Sequence, residues 1–217
     1  MVMKPRSKSA KAFTVTELLV TIACVALLAA VFLPVLAKSK ARSSRIGCTN
    51  NLKIIGLAFR SWSIDNNALY PMHVSVTNAG TLELAASGVV FPHFQTMSNE
   101  LSTPKILLCP NDKERSCVTS FTSNLTDKAL SYFVNINALE GDAASLLSGD
   151  RNIVNRVAAG SRLVDLTKGS SIAWTREIHS EKGNLCFADG RVEGVANGSV
   201  GARIQIPDGV TNRLAVP

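Results

Sequence analysis

Phe13-Thr14-Val15-Thr16-Glu17-Leu18-Leu19-Val20-Thr21-Ile22-Ala23-Cys24-Val25-Ala26-Leu27-Leu28-Ala29-Ala30-Val31-Phe32-Leu33-Pro34-Val35-Leu36-Ala37 is a membrane-length apolar run with one acidic residue near its head. About 20 predominantly apolar residues suffice for a helix to cross a bilayer. A basic leader with Lys4, Arg6, Lys8 and Lys11 precedes the run, and Lys38, Lys40, Arg42 and Arg45 follow it. Positive charge is thus almost tied across the span and does not set its orientation. A carboxylate carried to mid-membrane costs roughly 2.5 kcal/mol or more. Glu17 therefore needs compensation, which marks the run as more than a plain anchor.

Leader, small residue Ala12, then Phe13-Thr14-x-x-Glu17 and Pro34 at its distance resemble the class III signal of type IV prepilins and type II secretion pseudopilins. Ala12 stands where that family usually has Gly. The resemblance implies cleavage between Ala12 and Phe13 and N-methylation of Phe13, both by a prepilin peptidase, with Glu17 serving assembly. In a filament core, the new ammonium on Phe13 of a neighbouring subunit would neutralise Glu17, since a paired buried charge is tolerated where an unpaired one is not. The plainer alternative is a Glu17 that snorkels to the interface. Pro34 removes a helix hydrogen bond and should kink the membrane half. Two rival readings remain for the run: a secretory signal cut after Val35-Leu36-Ala37, or an uncleaved anchor. All three export the rest of the chain.

Beyond the span, Cys48, Leu52, Ile55, Phe59 and Trp62 recur at alternating steps of four and three, one apolar stripe of a continuing helix. Asp65-Asn66-Asn67, with Pro71 close behind, offers a stop. A helix from Phe13 to that stop would be on the order of 80 Å long. The polar Ser43-Ser44 and Thr49-Asn50-Asn51 clusters are places where a turn should loosen, and Gly47 and Gly56 are weak points. The expected organisation is a leader at 1–12, a transmembrane half-helix at 13–37, an amphipathic continuation at 38–66 and a head at 67–217. With 217 residues the chain allows one ordinary domain after the helix. Net charge is +7, but removing the four leader cations leaves +3, and no basic stripe interleaves with aromatics. A nucleic-acid partner is not expected.

The head reads as short strands and turns. Strands are expected at Ile106-Leu107-Leu108-Cys109-Pro110, at Leu130 to Asn135 and at Ser171 to Ile178. Leu82 to Ala86 reads equally as a helical turn or a strand. Asn184 to Ala188 and Arg191 to Val195 flank Asp189-Gly190, a two-residue hairpin signal. Gly141 to Gly149, with Asp142 and Asp150 at its flanks and Arg151-Asn152 after it, reads as a surface excursion. The expected fold class is α+β: a long kinked N-terminal helix packed on a small antiparallel sheet, as in pilins. No phosphate-cradling glycine loop, Gly-x-Ser-x-Gly or His-Glu-x-x-His is present, and His73, His93 and His179 lack metal spacing. Enzymatic activity is not expected.

Cys48-Thr49-Asn50-Asn51-Leu52-Lys53, Cys109-Pro110-Asn111-Asp112, and His179 followed after nine residues by Asp189-Gly190 resemble, in that order, a bacterial subgroup of prepilin-like proteins. The resemblance favours a Cys48–Cys109 disulfide, because both family elements contain a cysteine. Such a bridge would close a long loop, for an entropic gain of order 4 kcal/mol. Cys109 with Cys117 is the local alternative, and without any bridge Cys48 is simply part of the stripe. Cys24 reads as an apolar filler of the span. The role of His179, Asp189 and Gly190 stays open between a metal or catalytic pair and plain structure, with Asp189 as the turn residue that tolerates left-handed geometry. No Cys-x-x-Cys pair suggests zinc, so no metal ligand is assigned. Calcium, known in the C-terminal sheet of secretion pseudopilins, is the lesser alternative to no cofactor, since no stretch matches a calcium loop. The expected function is a pilin-like subunit, single-pass in the inner membrane with an extracytoplasmic head, assembled with other pilin-like subunits into a pseudopilus or pilus. The alternative is a monomeric membrane-anchored binding module.

Overall fold

A computed structural model describes residues 13–155 and 162–217. The expected cleavage position at Ala12 and the leader cations lie outside the described residues. The chain divides into two compact units, one ending at Arg42 and one spanning Ser43–Pro217.

A single helix, α1, runs Val15–Ile64 with Pro34 inside it. In the first unit its residues are exposed all round wherever their side chains are described, and the stretch is long and apolar enough to cross a membrane. Pro34 has no N–H to give the carbonyl four residues back, so one helix hydrogen bond is missing there. The expected loosening at Ser43-Ser44 and Thr49-Asn50-Asn51 does not occur; α1 is unbroken through both. Thr49 donates its hydroxyl to the Arg45 carbonyl at 3.2 Å, and the Asn51 amide donates to the Leu108 carbonyl at 3.0 Å. The polar side chains thus find partners without competing for the helix's own bonds, and packing outweighs propensity. The helix stops at the expected place. Asn67 and Ala68 turn to φ 56° and 57°, and the Ala68 N–H returns to the Ser63 carbonyl at 2.9 Å.

The second unit is built on six antiparallel strands in the order β4-β8-β1-β2-β6-β7. They are β1 (Tyr132–Asn135), β2 (Leu146–Asp150), β4 (Leu163–Leu166), β6 (Lys182–Phe187), β7 (Val192–Ala196) and β8 (Asn212–Ala215). A separate pair joins β3 (Ile153–Asn155) to β5 (Ile172–Trp174). Short helices fill the stretch before β1, including α2 (Leu82–Ala85) and α3 (Phe91–Thr96), and α3 carries the buried His93. An α+β fold is therefore present.

Both faces of the sheet are covered. On one face the α1 stripe of Cys48, Leu52, Ile55, Phe59 and Trp62 packs into a core with Tyr132, Val134, Leu147 and Cys186. On the other, Phe133, Leu146, Leu185, Phe187 and Leu214 join Trp174, Val200 and Ile204. Alternate residues of β1 and β6 thus serve different cores, as the two-residue period of a strand requires. Two expectations fail here. Ile106 to Pro110 is not a strand: Pro104–Leu107 forms a 3-10 turn, because Pro104 fixes its first residue and Thr103 caps it. Gly141 to Gly149 is a surface excursion only in its first part: Gly141 to Ala144 are exposed, but Leu146 to Asp150 is the fully buried β2, and Arg151 and Asn152 after it are buried too. A strand sandwiched between two cores has no polar face, so it lacks the alternation that announces a strand.

Candidate functional site

Two places gather the residues singled out in the sequence. The first is the head of α1. Thr14 precedes the first helical residue and Glu17 is the third. The Glu17 N–H donates to Thr14 Oγ1 at 3.2 Å, while the Thr14 N–H and hydroxyl donate to Glu17 Oε2 at 2.9 and 2.8 Å. This is a reciprocal capping box, which satisfies N–H groups that a helix start leaves without partners. Glu17 therefore has a local structural role that needs no second subunit. Cleavage before Phe13 would leave both capping residues in the mature chain. The sequence analysis takes Thr14 only as part of the Phe13-Thr14-x-x-Glu17 signal, although Thr-x-x-Glu ahead of an apolar run also announces a capping box.

The second place lies beneath the Ser43–Ile64 part of α1. The Cys48–Cys109 disulfide is present, with Cα atoms 5.0 Å apart across a separation of 61 residues. Cys24, Cys117 and the buried Cys186 are free. His179 is buried against the bridge. Its Nε2 lies 3.5 Å from Cys109 Sγ and 3.5 Å from Asp150 Oδ2, and its Nδ1 is 3.2 Å from the Asn111 amide nitrogen. An amide donating to Nδ1 leaves Nε2 as the protonated nitrogen, turned toward sulfur and carboxylate. Burial, assisted by the Arg45 guanidinium, pushes His179 down to about 4, so the imidazole is neutral at pH 7. Burial raises Asp150 to about 7, against the pull of the Asn184 N–H, the Asn184 amide and Arg45. Asn184 gives Asp150 Oδ2 both bonds, at 2.7 and 2.8 Å. Asp150 Oδ1 is buried with no hydrogen-bond partner among the described residues. Asp150 and His179 are thus held by hydrogen bonding more than by charge.

Asp112, at the end of the Cys-Pro-x-Asp element, takes a different partner. Arg151 clamps it with Nε on Oδ2 at 2.7 Å and Nη2 on Oδ1 at 2.9 Å, and also reaches Glu114 and Glu177. Hydrogen bonds from Arg151 and Ser131 hold the Asp112 carboxyl below its ordinary range despite its burial. Four consecutive residues therefore do three jobs: Cys109 bridges to α1, Asn111 orients His179, and Asp112 anchors Arg151.

Asp189 does not join His179. The two flank opposite ends of β6, and Asp189 is exposed. The Gly190 N–H returns to the Phe187 carbonyl at 2.9 Å and the Phe187 N–H to the Arg191 carbonyl at 3.0 Å. The turn is thus a three-residue loop rather than a two-residue one. Gly190 holds the left-handed position at φ 87°, a role the sequence assigned to Asp189. The Asp189 side chain instead accepts from the Arg191 N–H and Nε, each at 3.0 Å. The Asp189 carbonyl accepts from Arg60 of α1 at 3.3 Å.

Compared with protein-family models, with curated proteins and with solved structures, the chain matches none. The spacing of the His-to-Asp-Gly element nonetheless has a physical account. Between its ends, β6 lies along α1 at Gly56, where an added Cβ would stand 2.8 Å from Cys186 Sγ. The twelve residue steps from Cys48 to Arg60 rise about 18 Å, and the six residues of β6 span about 20 Å. His179 at the bridge and Gly190 at Arg60 therefore measure one stretch of helix. The sequence expectations place Asp150 at the flank of a surface excursion and Arg45 among the cations after the span; only the fold brings Asp150 to His179, while Arg45 lies three residues before Cys48 on α1.

Proposed function

We propose that the chain is a pilin-like structural subunit of an inner membrane, cut between Ala12 and Phe13 by a prepilin peptidase. It then assembles with other pilin-like subunits into a pseudopilus or pilus for type II secretion or type IV pilus-like activity. The observation that carries this reading is the first unit: an apolar helix exposed all round that opens on a capped Glu17. A helix apolar on every side needs lipid or other helices around it, and one carboxylate at its head gives a point where register can be fixed. The capping box occupies Oε2, while Oε1 has no hydrogen bond among the described residues. That oxygen suits the ammonium of Phe13 on a neighbour. The second unit adds support: Ile46, Ile54, Leu57 and Ile64 are exposed on α1. Their spacings of eight, three and seven residues place them on one side of a 3.6-residue helix, away from the buried stripe.

Two substitutions in the native host test this reading. Glu17→Gln keeps a residue able to serve the capping box but removes the charge, whereas Glu17→Ala removes both. The expected result is that both variants are processed and inserted, yet neither enters filaments recovered by shearing. A Glu17→Gln subunit that assembles like the native one contradicts the register role. A native chain that stays monomeric in the membrane favours the tethered binding module.

A further inference from the structure

We propose that the cluster beneath α1 is a two-state site: oxidised, it is the Cys48–Cys109 disulfide; reduced, it binds one thiophilic divalent cation of the Zn2+ type through Cys48 Sγ, Cys109 Sγ and His179 Nε2, with the Asp150 carboxylate beside the fourth position. This stands apart from the assembly reading, since it concerns the head alone. It also departs from the expectation of no metal ligand, which rested on the lack of a Cys-x-x-Cys pair. Here the donors come from three distant parts of the chain.

Three observations carry it. Donor atoms of Cys48, Cys109 and His179 all lie within 4.8 Å of one another, and all three residues are buried. Zn–S near 2.3 Å and Zn–N near 2.0–2.1 Å in tetrahedral geometry put sulfur and nitrogen about 3.6 Å apart. The distance from Cys109 Sγ to His179 Nε2 is already 3.5 Å, so that edge of the tetrahedron needs no movement. The two sulfurs must separate, from bonding distance to about 3.8 Å, and Cys48 Sγ, which lies within 4.8 Å of the imidazole nitrogen, must settle about 3.6 Å from it.

The second observation is Asp150. It is fully buried, its Oδ2 is 3.5 Å from the same imidazole nitrogen, and its Oδ1 has no partner among the described residues. A structural disulfide gives that oxygen nothing to do, whereas a cation or its bound water does. The third is charge. Two thiolates and a carboxylate against a dication leave one negative charge, and the Arg45 guanidinium acts electrostatically on both Asp150 and His179.

The steps balance. A dithiol donor gives two electrons and two protons to the Cys48–Cys109 bond and becomes a disulfide itself. The cation then replaces both thiol protons, which leave to solvent. Within His179 the proton passes from Nε2 to Nδ1, freeing the Nε2 lone pair for the metal. Asn111, its amide turned over, then accepts from Nδ1–H. That is the outer hydrogen bond that ligating imidazoles usually make.

The test uses the full-length chain in detergent, with Cys24→Ser and Cys117→Ser to remove the exposed thiols. A trialkylphosphine reduces the bridge, and Co2+ is titrated without oxygen. The reduced protein should take up one Co2+ per chain, with thiolate charge-transfer bands and the intense visible bands of tetrahedral cobalt, and Zn2+ should displace it. The oxidised protein should show neither. His179→Gln, of similar volume, should weaken binding by at least tenfold, and Asn111→Ala by roughly tenfold. Reduced protein that gives no such bands and no rise in melting temperature with Co2+ overturns the proposal. So does equal uptake by the oxidised form, or unchanged affinity in His179→Gln.

Discussion

Gly56 faces Cys186 of β6, and its missing side chain leaves room for that contact. An alanine there meets Cys186 Sγ at 2.8 Å, so Gly56→Ala should destabilise the head by about 1–3 kcal/mol through overpacking. Cys186→Ala in the same chain should restore part of that loss, and a double-mutant cycle in urea measures the coupling. His93 gives a pH signature. Burial lowers it from 6.5 to about 4, with Nδ1 held by Thr81 Oγ1 at 2.7 Å. Below pH 6.5 the unfolded chain takes up a proton that the folded one refuses. Stability should therefore fall as pH drops from 6.5 toward 4, by on the order of 3 kcal/mol for this group. Above pH 6.5 His93 should contribute no slope. His93→Gln should make the wild-type dependence in that window less steep, leaving the similar contribution of His179, read by urea midpoints at several pH values; identical slopes would contradict it. Arg151 is the third case. Truncation to Met leaves Asp112 buried without its clamp, which should cost about 3–5 kcal/mol. A smaller loss in denaturation would mean that water reaches the carboxylate.

At the scale of elements, what the sequence reveals depends on how many faces an element buries. α1 buries one stripe in the head, so Cys48, Leu52, Ile55, Phe59 and Trp62 keep a readable period, and all are buried. The β6–β7 hairpin is readable through Asp189-Gly190, although the loop has three residues and Gly190 alone needs left-handed backbone. β2 is the reverse case. Leu146-Leu147-Ser148-Gly149-Asp150 is buried on both faces, so hydrophobic and small residues do not alternate, and Gly149 and Asp150 look like a turn. Gly149 has no room for a side chain, since a Cβ would lie 2.7 Å from both the Asn184 carbonyl and Phe133. Reading that stretch as a surface excursion hides the burial of Asp150 and its place beside His179. The disulfide, by contrast, was accessible through resemblance, since the two motifs each carry one cysteine. Its loop predicts the size of its effect: reduction should lower head stability by about 4 kcal/mol in the absence of metal. Denaturation with and without reductant checks this, and no change would mean the bridge adds nothing beyond existing contacts.

For the whole molecule, the division at Arg42 separates two physical problems. The Ser43–Pro217 unit solves its own, with two apolar cores on the two faces of one sheet. The unit before it leaves Leu18, Leu19, Val25, Leu28, Phe32 and Leu36 exposed on a helix long and apolar enough to cross a membrane. A membrane-stored subunit that later packs into a filament would cover that surface first with lipid and then with other helices. In the proposed filament subunit, Glu17 would keep one carboxylate oxygen that has no hydrogen bond among the described residues. The central claim is that Phe13 becomes the amino terminus. Mass spectrometry of the N-terminal peptide from protein made in its own host tests it most directly. A mature chain beginning at N-methylated Phe13 is the expected result, whereas an intact Met1 or a start at Lys38 would contradict the account.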